Sequence, residues 1–390
     1  MIDGIHGARW AEKGALVSDP PGPLVVVEPT YANQEHATVN GILIQALPRV
    51  AAFVATPLQH AAVRESDANA PAVPLDVIAV EPPGGITLRR MRKQWSVIEA
   101  AVSRHKAQTL VLLSAGPETL FVARALVTRH PSLQIIVIMH GNMADLVGWR
   151  SRDPRRRLID LHSGMRIATH ERIRLVVLEE HIRTAAARLL PRQRFLVWPH
   201  PAAHGEQAAL ETWTPGDRLR LTFVGTASRG KGFGEFLTLH QSVGSLYEWA
   251  IAGRLGAGYT KADVPDLQFF PGYQPRDIYL AEVRKADFAV LAYRPEYELT
   301  ASGSLFDCVT QRKPIIAVAN PLLQGLARQF GPIGHLCPDL DGLQALLAQP
   351  QVLREPLAYA GFQRSLGAVL DSRSFARLQQ VIHHDLSHSV

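Results

Sequence analysis

The chain alternates short apolar runs with longer polar or amphipathic stretches, and it does so in two series. Leu24 to Glu28 (LVVVE) opens the first series as a buried strand. Ala51–Ala55, Val77–Val80, Leu110–Leu113, Ile135–Met139, Arg174–Leu178 and Phe195–Trp198 continue it. Unbroken runs of this length, rich in Val, Ile and Leu, suit parallel strands covered on both faces. Helical patterns over His36–Leu47, Leu88–Ser103 and Glu118–His130 lie between some of them. Residues 1–23 lack any period and end in Asp19-Pro20-Pro21-Gly22-Pro23, a loose arm. Residues 201–217 hold Pro201, Gly205, Pro215 and Gly216 and read as an interdomain linker. The alternation then restarts with Leu219–Val224, Trp249–Ala252, Leu267–Phe270, Phe288–Ala292, Ile315–Ala319 and His335–Cys337. This order predicts an α/β protein with two Rossmann-like, doubly wound domains, 24–200 and 218–354, facing each other across a cleft. Residues 355–390 carry a helical pattern that is expected to cross the domain junction.

Size and composition narrow the class. A chain of 390 residues exceeds what one ordinary core supports. Mean hydropathy is +0.01, and no apolar run approaches the ~20 residues needed to span a bilayer. The N-terminus carries Asp3 and Glu12 and lacks an apolar signal core, so a cytoplasmic protein is expected. Cys308 and Cys337 are the two cysteines, too few for a disulfide framework or a structural zinc site. A net charge of +6 points to an anionic partner, with nucleotide-sugars, phospholipid headgroups and nucleic acid all of suitable charge. No RNA- or DNA-binding module accompanies the charge, so nucleic acid is not expected. The basic residues cluster: Arg89, Arg90, Arg92, Lys93, Arg104 and Lys106 face a single Glu99, and five arginines lie between Trp149 and Arg157. Basic residues beside Trp95 and Trp149 also suit peripheral docking on an anionic membrane face. An ordinary solvated basic face is the alternative.

Three stretches carry candidate chemistry. Leu221 to Gly232 (LTFVGTASRGKG) runs from a strand into a glycine-rich turn and a helix. Its free N–H groups, with Arg229 and Lys231, would hold an oxyanion, although it matches neither a Walker A loop nor a dinucleotide fingerprint. Between Asp287 and Ala319 a second strand leads through a polar loop to Ser302-Gly303-Ser304, which opens a helix toward the strand ends. Asp307 lies one turn inside and could accept from ribose hydroxyls, while Ser304-x-x-Asp307 also reads as a plain capping box. In the first domain His140-Gly141-Asn142 follows the strand Ile135–Met139, where a histidine can contact a sugar or act as a general base. Asp145 could orient His140 or act itself. Glu28, Glu35 and His36 after the first strand are acceptor-side candidates, and Glu179-Glu180-His181 forms a weaker set. Capping and surface roles are the commoner use of such residues. No H-E-x-x-H pairing occurs, and no metal site is expected. Asp339-Leu340-Asp341 reads as a turn.

Gly225 with Lys231-Gly232, the AGRL run at Ala252–Leu255, FPGY at Phe270–Tyr273 and SGSLFDCVTQRKPIIA from Ser302 appear in an order that resembles the GT-B glycosyltransferases. The nearest group is the family-4-like enzymes of bacterial polysaccharide and glycoconjugate assembly. The resemblance covers Leu219 to Leu347, and the first half only by architecture. It implies transfer from a nucleoside diphosphate sugar, used as co-substrate with no other cofactor, to a carbohydrate or lipid-linked acceptor. It further implies that Lys231 contacts the donor diphosphate and Asp307 the ribose; Gly225, Thr226, Arg229, Glu298, Ser302, Gly303 and Ser304 complete the expected donor-binding set. The sequence departs from the family in two places. The arginine after the first glycine is Thr226, and the first glutamate of the E-x7-E pair is Leu299, with Glu298 and Glu296 adjacent. A sugar-nucleotide epimerase of the same architecture and a non-catalytic nucleotide-sugar-binding protein are the competing readings.

Overall fold

The computed structural model describes residues 22–31, 36–66, 75–77, 88–147, 157–202, 208 and 212–387. The readings at Glu35, over 78–80 of the expected strand Val77–Val80, at Trp149 to Arg156, over the arm 1–21 and over most of 203–211 fall outside the described residues. The first series of apolar runs becomes β1 (Leu24–Val27), β2 (Val50–Ala55), β3 (Leu75–Val77), β4 (Thr109–Leu112), β5 (Gln134–Ile138), β6 (Ile173–Val177) and β7 (Phe195–Val197). They form one parallel seven-stranded sheet in the order β3-β2-β1-β4-β5-β6-β7. The second series gives β8 (Arg220–Val224), β9 (Glu248–Ala252), β10 (Phe288–Leu291), β11 (Ile315–Val318) and β12 (Gly334–Cys337). These form a parallel five-stranded sheet ordered β12-β11-β10-β8-β9.

Side chains that alternate between two covered faces explain why the strands are mostly apolar. Val25 and Val27 pack into one core with Ile98, Leu120 and Leu126. Leu24 and Val26 pack on the opposite face with Leu43 and Phe53. Helices therefore cover both faces, and every position of β1 and β4 must be apolar or satisfied. In the second sheet Phe288 and Val290 face one core, while Ala289 and Leu291 face away from it.

Leu267–Phe270 is not a strand, contrary to its apolar composition. It makes one bridge, Arg254 to Phe270, before Pro271. Pro271 has no N–H to continue a ladder, so pairing stops there.

The C-terminal helices join the two halves. Helix Pro356–Ser372 packs Leu366, Val369 and Leu370 against the second domain. Helix Phe375–Ser387 instead places Leu378, Ile382 and Leu386 in the core of the first. Trp198 Nε1 donates to Asp385 Oδ2 at 3.0 Å, and Arg174 donates to the Asp385 carbonyl at 2.7 Å. In each sheet the strand order reverses once, between β1 and β4 and between β8 and β10. Ligands of open α/β sheets bind at the carboxyl ends beside such a reversal.

Candidate active site

In the second domain the two loops flanking the reversal carry the polar groups. After β8 the chain turns through Gly225, at φ +91°, to Gly232, at φ +77°, where helix Phe233–Val243 begins. Both positions need glycine. A Cβ on Gly232 would lie 1.6 Å from the Ala292 carbonyl oxygen, and one on Gly225 would lie 2.2 Å from Ser304 Oγ. This close approach lets Lys231 Nζ donate to Ser304 Oγ at 2.7 Å, joining the turn after β8 to the first turn of helix Gly303–Thr310. One ammonium, one hydroxyl and a helix N-terminus thus meet at the sheet's reversal point. Such a junction favours a dianionic group. Thr226 sits partly buried beside Gly256, and Arg229 is exposed at the rim.

Ser304-x-x-Asp307 is not a capping box. The cap is Ser302, fully buried, whose hydroxyl accepts from the Leu305 N–H at 3.2 Å and contacts the Tyr293 hydroxyl. Asp307 is held from the side, by Arg276 at 2.7 Å and by the Tyr279 hydroxyl, which donates at 2.7 Å. Burial, then the Asp307 charge, pushes the Tyr279 phenol well above its ordinary pKa, so it remains a donor to that carboxylate. The family's first glutamate position, Leu299, is 2% exposed and packs into the core of the first domain. Glu298 lies partly exposed on the same short 3-10 turn, Pro295–Leu299, and its backbone hydrogen-bonds His181.

The first domain contributes histidines. His36 follows β1 in the left-handed region at φ 63°, an unusual conformation for a side chain of this size. Its ring centroid lies 3.9 Å from that of His140, which follows β5, and His140 lies 6.4 Å from His200, which follows β7. His140 is 3% exposed, and its Nε2 has no hydrogen-bond partner. Burial, then the nearby His36 and His200, holds its imidazole well below the ordinary range. Burial pulls His36 down to about 3, helped by His200 and by the charge of Lys231 in the other domain. Lys231 of the second domain is therefore close enough to His36 of the first for its charge to act there. His200 falls to about 4, mainly through burial, against the pull of the Pro201 carbonyl contact.

Other candidates are placed differently. Glu28 is fully buried: its carboxylate accepts from Thr30 N–H at 2.9 Å, Tyr31 N–H at 3.1 Å, Asn40 Nδ2 at 3.1 Å and the Ser114 hydroxyl. It thereby links the ends of β1 and β4 and shapes the 28–31 loop. Burial outweighs those bonds and raises its carboxyl above the usual range. Asp145 is exposed on the 3-10 turn Asn142–Leu146, and no hydrogen bond joins it to His140 among the described residues. Glu180 pairs with Arg183 at the surface, whereas Glu179 is buried against Arg373. Asp339 caps helix Leu340–Leu347. Cys308 and Cys337 are buried free thiols, and no group of His, Cys, Asp or Glu among the described residues has metal-binding geometry. Sequence reasoning missed His200, Arg276, Tyr279 and Phe306. His200 carried the same signal as His140, a histidine just beyond a strand.

No family model and no curated protein matches the chain. Solved structures do. Anabaena HepE, in complex with UDP-glucose, superposes at TM-score 0.67 and 12% identity, covering 94% of this chain and all of that one. A glycosyltransferase from Rickettsia africae gives 0.64 at 11% identity over 94% of this chain and 98% of the other. Sucrose-phosphate synthase from Thermosynechococcus elongatus gives 0.60 at 14% identity, covering 94% and 97%. The chain has the GT-B fold. At these identities the likeness concerns the fold alone, across both GT-B domains, and leaves the chemistry to the residues of the cleft.

Proposed function

We propose that this protein is a glycosyltransferase that moves a sugar from a nucleoside diphosphate donor to a carbohydrate or lipid-linked acceptor. The observation that carries the reading is the Lys231–Ser304 junction at the sheet reversal, facing His36 and His140 across the cleft. The acceptor hydroxyl oxygen bonds the sugar C1 as the bond from C1 to the diphosphate oxygen breaks, the hydroxyl proton passes to His140 or to the departing diphosphate oxygen, and negative charge grows on the leaving group. Lys231 and the N–H groups of the Gly303–Thr310 helix are placed to stabilise that charge, a role that needs no metal or further cofactor. Asp307, oriented by Arg276 and Tyr279, takes the ribose hydroxyls. His140, buried and with no hydrogen bond at Nε2, contacts a sugar hydroxyl or takes the acceptor proton as general base. The neighbours support the reading, because the Anabaena protein was solved with UDP-glucose and again with UDP and glucose.

Incubation with a panel of nucleotide-sugars tests it. Transfer or slow donor hydrolysis is expected, and interconversion of donors without either would indicate an epimerase. One observation favours a second reading, a nucleotide-sugar-binding protein without turnover: Leu299 is buried where the family places its sugar-contacting glutamate. Binding without turnover across the panel would select it. A role in bacterial surface polysaccharide or glycoconjugate synthesis, at the inner face of the membrane, belongs to the same proposal. It is supported by helix Leu88–His105, which exposes Arg89, Arg92 and Lys93 beside Leu88.

A further inference from the structure

The chain crosses from the second domain back to the first at Arg373, between helices Pro356–Ser372 and Phe375–Ser387. Its guanidinium forks onto Glu179 at 2.8 and 3.0 Å, with side chains only 12% and 5% exposed. Glu179 follows β6 of the first domain and is the N-terminal flank of helix Glu180–Leu189. The same guanidinium lies 5.3 Å over the ring of Phe306, which belongs to the donor-side helix between Ser304 and Asp307. On Phe306 the His200 ring stacks at 4.5 Å and 9°, and His200 in turn meets His140 edge-on at 6.4 Å. Glu179, Phe306, His200 and His140 are buried, and Arg373 is half-buried. The run therefore links the crossing point, the diphosphate helix and the histidines of the first domain by direct contact.

We propose that Arg373 is a positioning residue that fixes helix Gly303–Thr310 against the first domain through Glu179, Phe306 and His200. The physical reasons are burial and planarity. A desolvated, bidentate Arg–carboxylate pair admits one geometry, and its loss leaves an uncompensated charge that drives the crossing segment away. Phe306, clamped between a guanidinium and an imidazole, transmits that geometry to the turn bearing Ser304 and Asp307. Transfer needs the donor and the acceptor side held in register, and sub-ångström misplacement is costly. The catalytic consequence rests on the transfer reading; the mechanical one does not.

The test uses the full chain with Arg373→Gln, Phe306→Leu and their double variant. Phe306→Leu keeps apolar burial, so it still reads the contact if Arg373→Gln does not fold. Amide hydrogen exchange in helix Gly303–Thr310 is expected to quicken on the order of tenfold in each single variant. Helix Phe233–Val243 of the same domain should be unchanged. With a donor that the wild type turns over, kcat should fall at least about tenfold while UDP affinity stays within about threefold. The double variant should lose no more than the worse single, as members of one relay do. Unchanged exchange in Gly303–Thr310 in folded variants, or losses that multiply, would overturn the proposal. If the wild type turns over no nucleotide-sugar, the transfer reading fails, and the exchange result alone decides the positioning role.

Discussion

Asp307 shows how a carboxylate is held in one place by its neighbours. Its carboxylate is fixed by Arg276 and Tyr279, so it presents a set position instead of sampling several rotamers. Asp307→Ala is expected to weaken UDP and free uridine alike, by about 1–3 kcal/mol for a lost charge-assisted contact. Titration with both ligands checks this, and a loss confined to UDP would move Asp307 to the phosphates. The buried histidines set a pH dependence. His140 and His200 have folded pKa values below the ordinary 6.5, His200 at about 4, so the unfolded chain binds more protons as pH falls below neutrality. Stability is full above pH 6.5 and is lost toward pH 4, at up to ~1.4 kcal/mol per pH unit for each proton. Glu28 and Glu179 act in the opposite sense, since their raised carboxyls cost stability at neutral pH and are relieved on protonation. Melting temperatures between pH 7 and 4 should therefore fall for the wild type and fall less steeply in His140→Asn/His200→Asn, in which His36 and His181 still titrate. A wild-type curve flat over this range would contradict the burial assigned to the two rings.

At the scale of elements, the apolar runs of the sequence marked most strands to within a residue or two, because a parallel strand buried on both faces leaves little choice of residue. Leu267–Phe270 misled for the same reason: its composition suits a strand, but Pro271 removes the next ladder bond. Helix Pro57–Ser66 went unmarked, since its apolar face is short and its polar residues frequent. The donor-side turns were legible because glycines and a lysine between a strand and a helix have few other uses. What joins them was not. Nothing in the sequence places Arg276 or Tyr279 beside Asp307, because that contact depends on how helix Arg276–Arg284 lies across the sheet. The Ser302 cap was masked by the more conspicuous Ser304-x-x-Asp307 spacing. Ser302→Ala should cost about 1 kcal/mol or somewhat more, seen as a lower melting temperature, because a helix cap and a buried hydroxyl contact are both lost. Gly225→Ala should act differently. Its Cβ would displace Ser304 and the Lys231 ammonium, 2.8 Å away, and nucleotide affinity should fall more than for Gly230→Ala, whose nearest neighbour is 3.6 Å away.

For the molecule as a whole, the domain order was read from alternation alone, while the cleft's content depended on which loops face each other. His36 and Lys231 lie about 200 residues apart in the chain, and only the arrangement of the two domains lets the Lys231 charge act on His36. One member of the predicted basic face is engaged inside the first domain. Arg90, 18% exposed, pairs with Glu118 at 2.9 Å and supports helix Pro117–Arg129, so charge reversal there would disturb folding. Arg89, Arg92 and Lys93 remain on the exposed side, each contributing on the order of 1 kcal/mol at an anionic surface. Co-sedimentation with anionic vesicles should fade with salt and disappear in the Arg89→Glu/Arg92→Glu/Lys93→Glu variant, with UDP affinity intact. Failure of the wild type to bind such vesicles at low salt would favour a soluble acceptor.

The proposed transfer requires a nucleoside diphosphate to bind where the turn after β8 meets helix Gly303–Thr310. Calorimetric titration of the wild type with UDP, GDP, ADP, TDP and CMP, repeated on Lys231→Ala, tests it most directly. At least one diphosphate should bind the wild type, CMP should bind more weakly, and the variant should lose at least about tenfold in affinity while remaining folded, as expected for a charged contact of ~1.5–3 kcal/mol. Binding of no nucleotide by the wild type, or equal affinity in the folded variant, would contradict the account.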